Sequence, residues 1–378
     1  MKNRNAAESA RDERITTIIQ DTVKPIVRKI DEEACYPLEF FQELGKSGLL
    51  HSQDVPEQEV LRAGAHLVEE TAKTCMTTAF NLWCHLAALT YVRKSANPFL
   101  RERILPRLEN GGLRAGTGLS NPMKYYAGLE RLCLRAERVP GGYIVTGQLP
   151  SVSNLGSDHW FGAIAAVDEQ CRIMALVPCS ADNLVLKEKR NYLGLNGSAT
   201  YACEFRGVFV PEEWILSEDA DHFVKQIRPA FLLYQIPLGL GVTEASIQAI
   251  ERMQGKQGGC NRYLPVQAEE LADELFVLRK ATDRLIASAD LQDRWHDLLQ
   301  VRLTAVYLTS KAAYAGMLHA GGAGYLQHSD VSRRLRESFF LVNLTPTVKH
   351  LEKLTKEAPA PSCCPVPDPP LSTLQIEA

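Results

Sequence analysis

The repeat of the apolar residues changes twice along this chain of 378 residues. Those two changes constrain the fold more than any single motif does. Residues 8–110 carry helical spacing: Ile15, Ile18, Ile19, Val23 and Ile26 form one apolar stripe. Pro37 opens a short segment that Gly45 or Gly48 ends. The run from Thr77 to Val92 is apolar on nearly all sides, which suits a helix in the middle of a bundle. At Leu113 the period becomes two and stays so to about Leu216, with turn residues such as Pro140-Gly141-Gly142 between alternating stretches. Trp160–Val167, Ile173–Val177 and Tyr201–Val210 read as buried strands. Helical spacing returns near Asp221, with long helices expected at 264–290 and 293–320. The reading is an α+β chain: N-terminal helical domain 1–112, middle β sandwich or barrel 113–218, C-terminal helical bundle 219–357. The Pro-rich tail 358–378 reads as disordered.

Bulk properties exclude several partners. A net charge of −3 and a pI near 6.3 give no electrostatic reason to expect nucleic acid or a membrane surface. No run approaches the ~18 apolar residues of a membrane span, and the polar start Met1-Lys-Asn-Arg lacks the core of a signal peptide. None of the ten cysteines stands in a Cys-x-x-Cys pair, so no metal site is expected and a reducing, cytoplasmic compartment is. Gly45-Lys-Ser copies the end of a phosphate loop, but Phe40 stands where its upstream glycine belongs.

The stretch His319-Ala-Gly-Gly-Ala-Gly-Tyr325 closes an Ala-rich helical pattern. Its glycines permit close backbone approach, and a helix C-cap is the alternative reading. A helix precedes it, so it is no dinucleotide fingerprint, which a strand should precede. The basic turn of Arg333, Arg334 and Arg336 reads by default as a solvated helix face, and Glu244 as structural.

Three further segments agree in register with one family. Leu193-Gly-Leu-Asn-Gly-Ser, a strand, and Val210-Pro211-Glu212 are similar to the last β-strands of the acyl-CoA dehydrogenase superfamily, with Asn196 replacing its Arg. Gly321-Gly-Ala-Gly-Tyr resembles its Gly-Gly-x-Gly-aromatic segment, and Gly141-Gly-Tyr-Ile-Val-Thr-Gly its hairpin. The resemblance spans roughly residues 10–355. It implies an N-terminal helical domain, a middle β-barrel or sandwich and a C-terminal four-helix bundle. It also implies FAD between the last two, and a homodimer or homotetramer.

Carried over position by position, the resemblance implies cofactor contacts at Ser120, with Thr117 and Leu119 just before it. It implies others at Ser151, Ser153 and Asn154, where the family's aromatic residue is lost, and at Gly321, Gly322 and Thr347. Arg252 matches a cation that reaches a neighbouring subunit's FAD. The family's catalytic Glu aligns with Thr345, and the alternative base position falls at Arg228-Pro229-Ala230, again without a carboxylate. A threonine hydroxyl is a very poor base. Monooxygenase relatives can place a His near the flavin from the region of His85, whose alternative reading is a core histidine.

The leading expectation is a FAD-dependent oxidoreductase that α,β-dehydrogenates an acyl thioester on CoA or a carrier protein. Electrons would pass to an electron-transfer flavoprotein. The alternative is a flavin-dependent monooxygenase of the same superfamily, served by a flavin reductase, acting on nitrogen, sulfur or an aromatic carbon. A third is a non-catalytic member of the family.

Overall fold

The computed structural model describes residues 2–357, with side chains from residue 9 onward. The tail 358–378, with Cys363 and Cys364, lies outside the described residues. The chain opens with α1 (Lys2–Thr22), α2 (Val27–Glu32), α3 (Leu38–Lys46), α4 (Glu57–Thr74), α5 (Met76–Lys94) and α6 (Leu105–Glu109). The β region follows: β1 (Arg114–Thr117), α7 (Ser120–Tyr126), β2 (Leu134–Val139), β3 (Gly142–Val152), β4 (His159–Ala166) and β5 (Arg172–Pro178). It ends with β6 (Leu184–Glu188), β7 (Tyr201–Pro211) and β8 (Ile215–Ser217). The last block is α8 (Ala220–Leu233), α9 (Ile236–Glu251), α10 (Ala268–Ile286), α11 (Trp295–Ala320), α12 (Asp330–Asn343) and α13 (Val348–Glu357).

The strands form one sheet in the order β6-β7-β3-β2-β4-β5-β8, with β1 running parallel to β4. Pro140 and Gly141 make the two-residue turn between β2 and β3, Gly141 taking φ +80°. The short strands β1, β6 and β8 were not anticipated from the sequence, being three to five residues long. The inner face of the sheet has its own apolar core, including Leu134, Val145, Phe161 and Phe205.

The two helical blocks do not keep separate cores. One continuous buried cluster runs from Ile15 through α4 and α5 into α8, α9 and α11. The helices α4 and α9 meet at glycines. A Cβ on Gly241 would come 2.4 Å from the Glu69 carbonyl oxygen, and one on Gly64 2.7 Å from the Tyr234 ring. The all-apolar run 76–92 is α5, wholly buried in this shared core. The segment Ala220–Glu251 is long and apolar enough to cross a membrane, which the sequence reading had not expected of any run. Here 94% of its most apolar window is buried against other helices of the chain.

The arginines of α12 are not a solvated face. Arg333 lies buried between Glu337 (3.2 Å), Asp330 (3.1 Å) and the Thr74 carbonyl (3.0 Å). Arg334 is buried too, and Arg336 forks onto the buried carboxylate of Asp31 (2.7 and 2.5 Å). The helix packs on α11, α9 and α5, and its arginines reach Thr74 of α4 and Asp31 of α2, so its polar stripe becomes an internal ion-pair layer. Glu244 pairs with Arg279 at 2.7 Å, which also holds Glu69.

Candidate active site

A cavity of about 460 Å³ lies between α5, the sheet edge, α8 and the end of α12. Four separated segments bring hydroxyls to it. Thr117 ends β1 and Ser120 starts α7; Ser151 and Ser153 come from the end of β3; Ser198 and Thr200 precede β7; Thr345 and Thr347 follow α12. The hydroxyls pair with one another. Ser120 Oγ lies 2.9 Å from Thr345 Oγ1, Ser153 Oγ 2.7 Å from Thr200 Oγ1, and Thr200 Oγ1 2.8 Å from Ser198 Oγ. Thr117 Oγ1 meets the buried phenol of Tyr91 at 2.7 Å. A hydroxyl both donates and accepts, so such pairs can exchange one partner for a ligand atom.

Thr345 is held from behind. Its carbonyl accepts from Gln235 Nε2 (2.9 Å), and Gln235 Oε1 accepts from Arg302 Nε (2.9 Å). Arg302 is fully buried, has no carboxylate within ion-pair distance among the described residues, and donates also to the Leu341 carbonyl at 3.3 Å near the end of α12. Burial pulls its guanidinium down to about 9. The partial negative charge of a helix C-terminus offsets part of that cost.

The remaining lining is aromatic: Phe80 and Trp83 from α5, Phe231 from α8, Phe339 and Phe340 from α12. At the mouth stand Tyr192–Leu195, Lys124 and Arg336. Lys124 is engaged by Glu130 at 2.9 Å. No described residue lining the cavity is Asp, Glu or His.

Several residues singled out from the sequence lie elsewhere. His85 is buried in α5, away from the cavity. Its Nδ1 accepts from the Ala115 amide (3.2 Å), so its Nε2–H donates to the Leu108 carbonyl (3.1 Å). Burial holds the ring neutral, its pKa down to about 3. It is therefore a satisfied core histidine with no free nitrogen to act on a substrate. Asn154 is fully buried, between the Tyr36 hydroxyl (2.6 Å) and the Ala115 carbonyl (2.8 Å), and Leu119 packs in the core. Neither lines the cavity. Arg252 lies exposed at the end of α9. Gly321, at φ +56°, and Gly322 form an exposed turn that ends α11. In this chain that run caps the helix and does not line this cavity. Arg228 stacks on Trp295, 4.4 Å from the ring centre, outside the cavity.

The sequence reading missed the aromatic lining and Lys124. Phe80 and Trp83 stand three apart in an apolar run, and no periodicity tells a helix face that borders a void from one that meets another helix.

The comparisons with known proteins agree with this architecture. Residues 5–112 match the family model for the acyl-CoA dehydrogenase N-terminal domain. Benzylmalonyl-CoA dehydrogenase of Aromatoleum aromaticum is 27% identical over 299 residues, covering 73% of this chain and 78% of that protein. The chain is thus similar to acyl-CoA dehydrogenases over most of its length. Among solved structures, a glutaryl-coenzyme A dehydrogenase in complex with glutaryl-CoA superposes with a TM-score of 0.83 at 18% identity, over 92% of this chain and 93% of that one. Dibenzothiophene monooxygenase of Paenibacillus sp. A11-2 superposes at 0.75 and 15% identity, over 92% and 96%. Both show the same fold. In this acyl-CoA dehydrogenase-like oxidoreductase Thr345 lines the cavity.

Proposed function

We propose that the cavity takes the ring system of FAD against its hydroxyl side and an acyl thioester, carried on CoA or a carrier protein, through its mouth. The observation that carries this reading is convergence. Thr117, Ser120, Ser151, Ser153, Thr345 and Thr347, distant in sequence, line one void. Their donor set fits the group: neutral hydroxyls can serve both the carbonyl oxygens and the ring nitrogens of a flavin. When bound, FAD would supply hydride acceptance from carbon or, once reduced, reaction with oxygen.

The chain's own residues supply placement and a dry pocket. The Ser120–Thr345 pair can turn a hydroxyl proton toward a thioester carbonyl and so acidify the neighbouring C–H. The aromatic side excludes water from it. No described lining residue is a carboxylate that could receive that proton, so in this reading it passes to water at the mouth, from a thioester whose α-hydrogen is unusually acidic. An electron-transfer flavoprotein is the proposed acceptor. A second copy of the chain is the proposed partner that would bring the exposed Arg252 and Gly321-Gly322 against a neighbouring cofactor.

The carboxylate-free lining favours a second reading, flavin-dependent monooxygenation, because oxygen transfer to nitrogen, sulfur or an aromatic carbon needs no α-proton abstraction. Absorbance of the purified protein in anaerobic buffer separates the two. Loss of the oxidised flavin band on adding an acyl-CoA supports dehydrogenation. No loss with any thioester, together with oxygen uptake dependent on an added flavin reductase, supports monooxygenation. Thr345→Glu sharpens the test: a gain of acyl-CoA-dependent bleaching marks a dehydrogenase pocket that lacks only its base.

A further inference from the structure

The inner end of the cavity is built differently from its mouth. At the mouth Leu193 and Phe339 are half exposed or more; at the far end Phe80, Trp83 and Phe231 are almost wholly buried. These three rings contact one another. Phe80 stacks on Trp83 (centroids 5.4 Å apart, planes 21° apart), and Trp83 meets Phe231 edge-on at 4.8 Å. The ring of Phe340 braces Phe80 at 4.7 Å.

A hydrogen bond fixes the middle ring. Phe231 lies in the last turn of α8, where carbonyls lack intrahelical partners. The next amides are used elsewhere, Tyr234 N–H by Ala230 and Gln235 N–H by Leu232. The indole N–H of Trp83 donates to the Phe231 carbonyl at 2.9 Å instead. The indole therefore serves as a helix cap, and its orientation is set independently of anything in the cavity.

Beyond this floor the same two helices border a second, polar cavity of about 730 Å³, with Thr90 from α5, Ala230 from α8 and Tyr234 just after it, beside charged side chains such as Glu57, Arg93 and Glu109. Thr90 follows Trp83 by seven residues on one helix, so it lies on the same side, about 10 Å further along the axis. A straight acyl chain growing inward along the groove between α5 and α8 would head for that space and meet the rings first.

We propose that Phe80, Trp83 and Phe231 form a floor that limits the acyl group to short, branched or ring-shaped ones and excludes long straight chains. This rests on the thioester reading above. The probe is a series of butyryl-, octanoyl- and dodecanoyl-CoA, with benzoyl-CoA beside it. Dissociation constants are measured by calorimetry on the flavin-loaded protein and on Trp83→Leu and Phe231→Ala. Free n-alcohols of the same lengths are run in parallel, because they report cavity depth without a thioester. Circular dichroism confirms that each variant is folded, and Phe231→Ala keeps the backbone carbonyl that caps with Trp83 if the indole variant fails to fold.

The wild type is expected to bind dodecanoyl-CoA at least about tenfold more weakly than butyryl- or benzoyl-CoA, and either variant to close most of that gap. Equal wild-type affinity along both series, or a length cut-off unmoved in a folded variant, overturns the floor. If no thioester binds while the alcohols still show a cut-off that the variants relieve, the thioester reading fails and the floor stands.

Discussion

The two sides of the cavity are built on opposite terms. The side facing the sheet presents small hydroxyls, and Thr117, Ser120, Ser153 and Thr345 each pair with another hydroxyl in a bond they can exchange. The side facing the helices presents rings locked by one another and by a helix-capping hydrogen bond. The first side is arranged to respond to a ligand and the second to resist one. The difference extends to what stands behind each. Behind Thr345 lies a polar chain, Gln235 and then a buried guanidinium without a carboxylate. Behind Trp83 and Phe231, along the same two helices, α5 and α8, lies the second cavity.

Changes at single residues can break or sharpen this contrast. The largest expected effect is behind the hydroxyl side. Gln235→Leu removes the only side-chain acceptor of Arg302 among the described residues and leaves a buried cation short of partners, which should cost about 3–5 kcal/mol in denaturant unfolding. Replacing both, as Gln235→Leu with Arg302→Met, should recover much of that loss. If the single variant is no less stable than wild type, the polar chain is not holding Thr345. On the aromatic side, Phe80→Ala should cost about 3 kcal/mol, the low end for a buried ring because one face already borders a void. A larger loss would mean the ring is ordinary core.

Acid provides a third probe, through His85. Its folded-state pKa is held below that of the unfolded chain, so its contribution to stability is complete above about pH 6.5 and lost as pH falls toward 3. The slope should be about 1.4 kcal/mol per pH unit within that window. A His85→Gln variant titrated the same way should show a shallower slope, and an equal slope would place the effect elsewhere. The smallest effect is Ser120→Ala, about 1 kcal/mol or less in stability, since Thr345 can turn to water. Flavin retention on gel filtration should nevertheless fall measurably; unchanged retention would take Ser120 out of the cofactor's reach.

The hydroxyl side was legible in the sequence because it is carried by segments in register with a family pattern: Ser120, Ser151, Ser153 and Thr347 were each named from position alone. The same procedure misplaced Asn154 and His85. A register fixes which residue stands at a position but not which way its side chain turns. Asn154 takes φ +62° and points into the junction between Tyr36 and β1, and His85 points at backbone groups. The aromatic side was not legible because a helix apolar all round carries no mark of where a void will lie. Order of blocks was plain from the change of period. The sharing of one core by the first and last blocks was not, since apolar stripes do not name their partners.

That shared core has a consequence for how the molecule is made. The faces of α4 and α5 that meet α8, α9 and α11 stay uncovered until those helices exist, well over a hundred residues later in synthesis. The leading helices must wait, exposed, while the sheet folds on its own core. A fragment ending at residue 218 should therefore contain a folded sheet joined to sticky, loosely ordered helices, and should aggregate where the complete chain does not. A premature stop is thus expected to be more harmful to a cell than simple loss of the protein.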